Sequence, residues 1–155
     1  NAGLVLVSNC ISTPQLPPSG YREDDKFKLY LLDVGLLGAM LKLSMKTIVQ
    51  KNSLFSHYNG AFTENYIAQQ LYSEGGRELY YWAKHGVAEV DFIISSPKLY
   101  ALEVKYKFKE HDTASLKLFA AQYPCKSMII GLQGEKSGKY IWELSKELEL
   151  KSSIL

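Results

Sequence analysis

The chain of 155 residues has only two cysteines, Cys10 and Cys125, far apart and without metal-ligand spacing. That excludes the disulfide framework that staples small secreted domains, and a cysteine zinc cluster. Histidine is equally scarce. His57, His85 and His111 are scattered, and none forms the two-histidine helical motif of a zinc site. No apolar run approaches the roughly 18 residues of a membrane-spanning helix, so no membrane partner is expected. Charge of one sign is missing too: 18 lysines and arginines against 16 aspartates and glutamates leave a formal charge of +2. With no global basic field, any contact with nucleic acid has to be local. Gly134 to Lys139 has the flavour of a phosphate loop, but Tyr140 stands where Ser or Thr is required. The stretch reads as a hairpin turn, and the chain has no nucleotide site of its own. A reducing, cytoplasmic setting is the simplest one consistent with these absences.

What is present is enough for one domain with a sizeable core, since 46% of the residues are hydrophobic. Asn1-Ala2 reads as the remnant of a cleaved tag. Leu4 to Val7 is a candidate strand. Thr13 to Gly20 is proline-rich and, with the charged stretch Arg22 to Lys26, reads as a loop. Residues 1–26 are therefore expected to be an N-terminal segment and linker, and residues 27–155 the domain. Beyond them the pattern predicts a strand over Phe27–Leu32, a helix over Val34–Leu43, and a helix over Gly60–Tyr72 ended by Gly75-Gly76. Strands follow at Leu79–Ala83, Ala88–Ile94 and Tyr100–Tyr106. A helix over Asp112–Tyr123 has Leu116, Phe119, Ala120 and Tyr123 on its inner stripe, and Pro124 stops it. Cys125–Gly131 and Tyr140–Leu144 are the last strands, and the tail Glu143–Leu155 ends in a short helix or disorder. The helical crossover out of Tyr100–Tyr106 predicts a parallel partner. The sum is an α/β domain with a mixed sheet.

Within that frame two strands carry charge in a particular way. In Ala88–Ile94, alternation sets Val90, Phe92 and Ile94 on one face, and Glu89 and Asp91 on the other. In Tyr100–Tyr106, Glu103 and Lys105 share the face opposite Leu102 and Val104. An antiparallel hairpin with Phe92 opposite Leu102 would put Asp91 opposite Glu103 and Glu89 opposite Lys105. Directly opposed Cβ atoms are about 4.5–5.5 Å apart, which lets two carboxylates grip one divalent cation. The plainer reading is a solvated hairpin face with a Glu89–Lys105 ion pair. Lys98, Lys105, Lys107 and Lys109 with Tyr100, Tyr106 and Phe108 could contact phosphates or bases, or simply form a lysine-protected edge.

Glu64 precedes Ile67, Ala68 and Leu71 by three, four and seven residues, so it sits on or beside a buried helical stripe. A carboxylate there needs a partner. The alternative is an exposed glutamate in the first helical turn, favoured by the helix dipole. On the first reading Glu64 points toward the Asp91–Glu103 face.

Helix glutamate, strand aspartate, then Glu-x-Lys on the next strand is an order that resembles the PD-(D/E)xK nuclease superfamily. Lys28-Leu29-Tyr30-Leu31-Leu32-Asp33-Val34-Gly35-Leu36, Gly60-Ala61-Phe62-Thr63-Glu64-Asn65, Tyr80-Tyr81-Trp82, Glu89-Val90-Asp91-Phe92 and Glu103-Val104-Lys105 narrow the resemblance. They are similar, in order, to a domain of unknown function that follows the ATPase core in a group of prokaryotic AAA-type ATPases. The resemblance implies a restriction-endonuclease-like αβββαβ core. It implies Asp91, Glu103, Glu64 and the Val104 carbonyl as ligands of Mg²⁺ or Mn²⁺, Lys105 as the group acting on water and phosphate, and Glu89 as an accessory acid. It also implies DNA as substrate and an N-terminal ATPase in the same protein as partner. Val90 stands where the superfamily has proline, and Ala83-Lys84-His85 where the narrower family often has arginine-threonine. Two readings follow: a metal-dependent nuclease domain, or a non-catalytic module of the same fold that binds DNA or protein.

Overall fold

The computed structural model describes residues 3–43, 53–74, 76–96, 98–108, 114–134 and 139–140. Seven strands form one sheet: β1 (Val5–Ile11), β2 (Arg22–Leu31), β3 (Leu79–Lys84), β4 (Ala88–Ser96), β5 (Lys98–Phe108), β6 (Lys126–Gly134) and the two-residue β7 (Lys139–Tyr140). Their order across the sheet is β2-β1-β3-β4-β5-β6-β7. The pairs β1/β3, β5/β6 and β6/β7 are parallel and the others antiparallel. Among the described residues three α-helices accompany it: α1 (Val34–Met40), α2 (Ser53–Ser73) and α3 (Ala114–Gln122). From α2 to β6 the order is αβββαβ, in a mixed sheet flanked by helices, as the sequence predicts.

Helices α2 and α3 cover opposite faces of the sheet. Ile67, Ala68 and Leu71 of α2 pack with Tyr30, Phe92, Ile94, Tyr100, Leu102 and Val104. Leu116 and Phe119 of α3 pack with Trp82, Val90, Ile93, Ala101 and Ile129 on the other face. The Trp82 and Phe119 rings meet edge to face at 5.2 Å, a favoured arrangement. Helix α1 starts at Asp33, whose carboxylate accepts hydrogen bonds from the Gly35 and Leu36 amides. A Cβ at residue 35 would stand 2.7 Å from that carboxylate oxygen, so a side chain there would push the capping carboxylate aside. Gly76, at φ +67, closes α2 by donating its N–H to the Tyr72 carbonyl.

Several expectations are corrected. Arg22 to Lys26 is the first half of β2 rather than a loop, so the division expected at residue 26 falls inside a strand. Edge strands tolerate and use such charge. β1 lies between β2 and β3, and Cys10 and Ile11 are buried, so residues 5–11 belong to the same sheet. β7 runs parallel to β6, so the two strands are not the antiparallel arms of a hairpin, and residues 135–138, where the turn is expected, lie outside the described residues. β5 is an inner strand and Tyr100 is a core residue, which removes it from any base-stacking surface. Ala120 is exposed rather than on the inner stripe of α3. Lys109, His111, the expected cap at Asp112 or Thr113, and the tail from Ile141 onward, with the strand to Leu144, lie outside the described residues.

Candidate functional site

The hairpin register is the one the alternation predicts: Phe92 pairs with Leu102, Ile93 with Ala101 and Ile94 with Tyr100. The next position on each strand is Asp91 and Glu103. Against β3, however, β4 carries one residue too many. Tyr80 pairs with Ile93 but Trp82 with Val90, so Asp91 and Phe92 together stand opposite Tyr81 in a β-bulge. The consequence is visible in the packing, where Val90 joins the α3-side core while Phe92 and Ile94 stay on the α2 side. The expected common face of Val90, Phe92 and Ile94 is therefore broken at Asp91. The bulge turns Asp91 to the α2 side. Glu103 alternates with Leu102 and Val104 and pairs with Ile129, a parity that sets it with Ala101. The shared face expected of Asp91 and Glu103 is therefore not formed: Asp91 lies on the α2 side, Glu103 has the parity of the α3 side, and the two are related by adjacency across the strand pair, near enough for the Glu103 charge to act on Asp91.

Asp91 Oδ2 accepts the Val104 N–H at 2.7 Å, taking the place of a strand-to-strand hydrogen bond. Its Oδ1 lies 3.6 Å from the Lys28 ammonium. Lys28 is on β2 and reaches inward. It stands 3.1 Å from Glu64 Oε1, forms an ion pair with Glu89 Oε1, and lies 5.1 Å from the centre of the Tyr81 ring. Tyr30, two residues on and therefore on the same face, donates its hydroxyl to Glu64 Oε1. Glu64 thus points from α2 into the acid group, and does not sit on the exposed first turn. Its place is set by the next residue. Asn65 accepts the Leu31 N–H at 2.7 Å and donates to the Leu31 carbonyl at 3.0 Å, fastening α2 to the outer edge of β2. A cleft of about 360 Å³, lined among others by Leu29, Leu37 and Ala61, opens beside Lys28, Tyr30 and Glu64.

Lys105 pairs with Glu103 Oε1 at 2.7 Å, and Glu89 with Lys28, so the expected Glu89–Lys105 pair is not formed. The bulge is the reason: it lifts Glu89 out of the β4/β5 ladder and toward β2. Glu103 is buried, and its Oε2 has no hydrogen-bond partner.

The electrostatics follow. Burial pushes the Asp91 carboxyl up to about 7, with Glu64 and Glu103 adding to the rise and the Val104 N–H and Lys28 opposing it. Burial pulls the Lys28 ammonium down, but the charges of Glu64, Asp91 and Glu89 outweigh it and hold it above the ordinary lysine value. Burial and the Glu64 carboxylate raise the Tyr30 hydroxyl, so it stays a donor.

Three carboxylates around one ammonium leave a formal charge of −2, while Glu103 and Lys105 cancel. The donors are all oxygens, as hard divalent cations prefer. Charge, donor chemistry and the orphaned Glu103 Oε2 fit Mg²⁺ or Mn²⁺. The spacing fits an ammonium ion. Among the described residues no three His, Cys, Asp or Glu side chains are placed to hold a metal ion. In the sequence Lys28 and Tyr30 stand out only as members of the Lys28–Leu36 signature. Their i, i+2 spacing on a strand, with both polar ends on the helix-covered face, is the signal that marks them.

A family model described as "Domain of unknown function (DUF4143)" matches residues 59–146, more than half of the chain. The chain belongs to the DUF4143 family. The match takes in Glu64, Glu89, Asp91, Glu103 and Lys105, whereas Lys28 and Tyr30 precede it. No curated protein and no solved structure matches the chain. No helix among the described residues is long and apolar enough to cross a membrane.

Proposed function

We propose that this DUF4143 chain is a metal-dependent nuclease domain with a restriction-endonuclease-like core, hydrolysing DNA phosphodiesters as the C-terminal part of an AAA-type ATPase. The observation that carries the reading is Asp91, largely buried and held by the Val104 N–H, with its carboxyl pushed up to about 7 by burial and by the charges of Glu64 and Glu103. An acid whose ionisation is disfavoured by its surroundings is a common property of functional sites. Asp91, Glu64 and Glu103 would hold Mg²⁺ or Mn²⁺, with the Val104 carbonyl close by in the chain. When bound, the cation supplies Lewis acidity toward phosphate and a water of lowered pKa. Glu103 keeps the Lys105 ammonium at 2.7 Å, where it can orient water or meet charge developing on a phosphate oxygen. Glu89 positions Lys28.

The test uses full-length protein with ATP, on duplex, branched and single-stranded DNA, together with Mn²⁺ titration. Asp91→Asn, Glu103→Gln and Glu64→Gln should lose both binding and cleavage. Lys105→Ala should keep most of the metal affinity and lose turnover, because it acts on the reacting groups. Absence of any metal-dependent cleavage that Asp91→Asn removes overturns the nuclease reading. One observation favours the second reading, a non-catalytic DNA- or protein-binding module of the same ATPase. Lys28 already neutralises part of the acid group without a metal.

A further inference from the structure

The acid group has a cation of its own. The Lys28 ammonium contacts Glu64 at 3.1 Å, Asp91 at 3.6 Å and Glu89, and lies against the Tyr81 ring, with its side chain 23% exposed. Three anions and an aromatic face are what an ammonium ion binds. The separations suit that ion. Oxygen ligands of Mg²⁺, Mn²⁺ or Ca²⁺ stand at roughly 2.0–2.6 Å, so these carboxylates would have to close in around a divalent ion, and the ammonium would have to leave. Lysine, on a flexible four-carbon stem, can do so. β2 is an edge strand, and the cleft beside Glu64 gives the side chain somewhere to go.

We propose that Lys28 is a tethered counter-ion that keeps the acid group closed without metal, is expelled by a divalent cation, and so sets the metal affinity of the site. The proposal rests on the metal-dependent reading above. Once expelled, Lys28 stays at the mouth of the site, where an ammonium can meet substrate phosphate as a point charge. Substituting Lys28 by a neutral residue therefore has two opposite effects: metal binds more tightly, and the metal-free protein keeps three carboxylates with no cation.

The test is calorimetric titration of Mn²⁺ into full-length wild type, Lys28→Gln and Lys28→Arg, paired with amine labelling of wild type read by mass spectrometry with EDTA or Mg²⁺. Lys28→Gln should bind Mn²⁺ about ten-fold or more tightly than wild type, since it has no ammonium to displace. Lys28→Arg should bind no more tightly than wild type. In wild type, the labelling rate at Lys28 should rise several-fold when Mg²⁺ replaces EDTA, a result that needs no variant to fold. Equal Mn²⁺ affinity in wild type and Lys28→Gln, or a labelling rate unmoved by saturating Mg²⁺, overturns the counter-ion role and leaves the metal reading standing. No binding by either protein overturns the metal reading and this proposal together.

Discussion

Replacing Asp91 by asparagine should make the metal-free protein more stable at alkaline pH, although it removes the central acid of the site. The side chain is 15% exposed, and burial together with the nearby Glu64 and Glu103 charges pushes its carboxyl from 3.8 up to about 7. Each pH unit of that difference corresponds to about 1.4 kcal/mol, so ionised Asp91 costs roughly 4 kcal/mol against its protonated form. That is a large part of the 5–15 kcal/mol typical of a domain. The sign follows from proton counting. Between pH 3.8 and about 7 the folded protein binds the proton and the unfolded chain does not, so stability falls as pH rises through this window and then levels off. Asparagine resembles the protonated acid and still accepts from the Val104 N–H, so its stability should lack that slope. Urea unfolding of both proteins in EDTA at pH 4.5 and 8.5 measures the effect. The two should be nearly equal at pH 4.5, and Asp91→Asn should be the more stable at pH 8.5. A difference that stays flat across this range, or wild type more stable at pH 8.5, refutes the claim that the Asp91 charge is poorly compensated. Saturating Mn²⁺ should then raise wild type and leave Asp91→Asn unmoved.

Further outcomes follow from the packing. Tyr30→Phe removes the donor to Glu64 and should cost about 1–3 kcal/mol in urea unfolding, because Glu64 loses a partner in a half-buried position. Asn65→Ala breaks both bonds to the Leu31 backbone and should cost about 2 kcal/mol. It should also weaken Mn²⁺ binding, since Glu64 is the preceding residue on α2. Phe119→Ala empties the α3-side core and should cost about 3–5 kcal/mol in urea unfolding while leaving the amine-labelling rate of Lys28 in EDTA nearly unchanged, since Phe119 lies on the face opposite the Lys28 group. A changed Lys28 labelling rate in Phe119→Ala, at a temperature where the variant is folded, would contradict that separation of faces.

Much of the architecture could be read directly. Helical spacing of Ile67, Ala68 and Leu71 located the helix that bears Glu64, and two-residue alternation located β4 and β5 and their register. Both are local: a period of 3.6 or 2 shows in a window of a few residues. Charge misleads at Arg22 to Lys26, where the composition reads as loop, because an edge strand has a solvated side and tolerates what an inner strand would reject.

The sequence by itself determined which acids exist, which elements carry them, and that Asp91 and Glu103 fall at neighbouring positions of a hairpin. Which side Asp91 faces was decided by the tertiary structure. One extra residue of β4 against β3 turned it toward α2, and strand alternation alone holds no trace of a bulge, which exists only relative to a partner strand. The same is true of Lys28. It stands 36 residues from Glu64 and further still from Glu89 and Asp91, and only the docking of α2 on β2 through Asn65, with β3 and β4 alongside, brings one ammonium among three carboxylates. Local spacing records which face a side chain occupies along its own element; which charges meet on that face depends on how the elements pack, and that is a property of the whole fold.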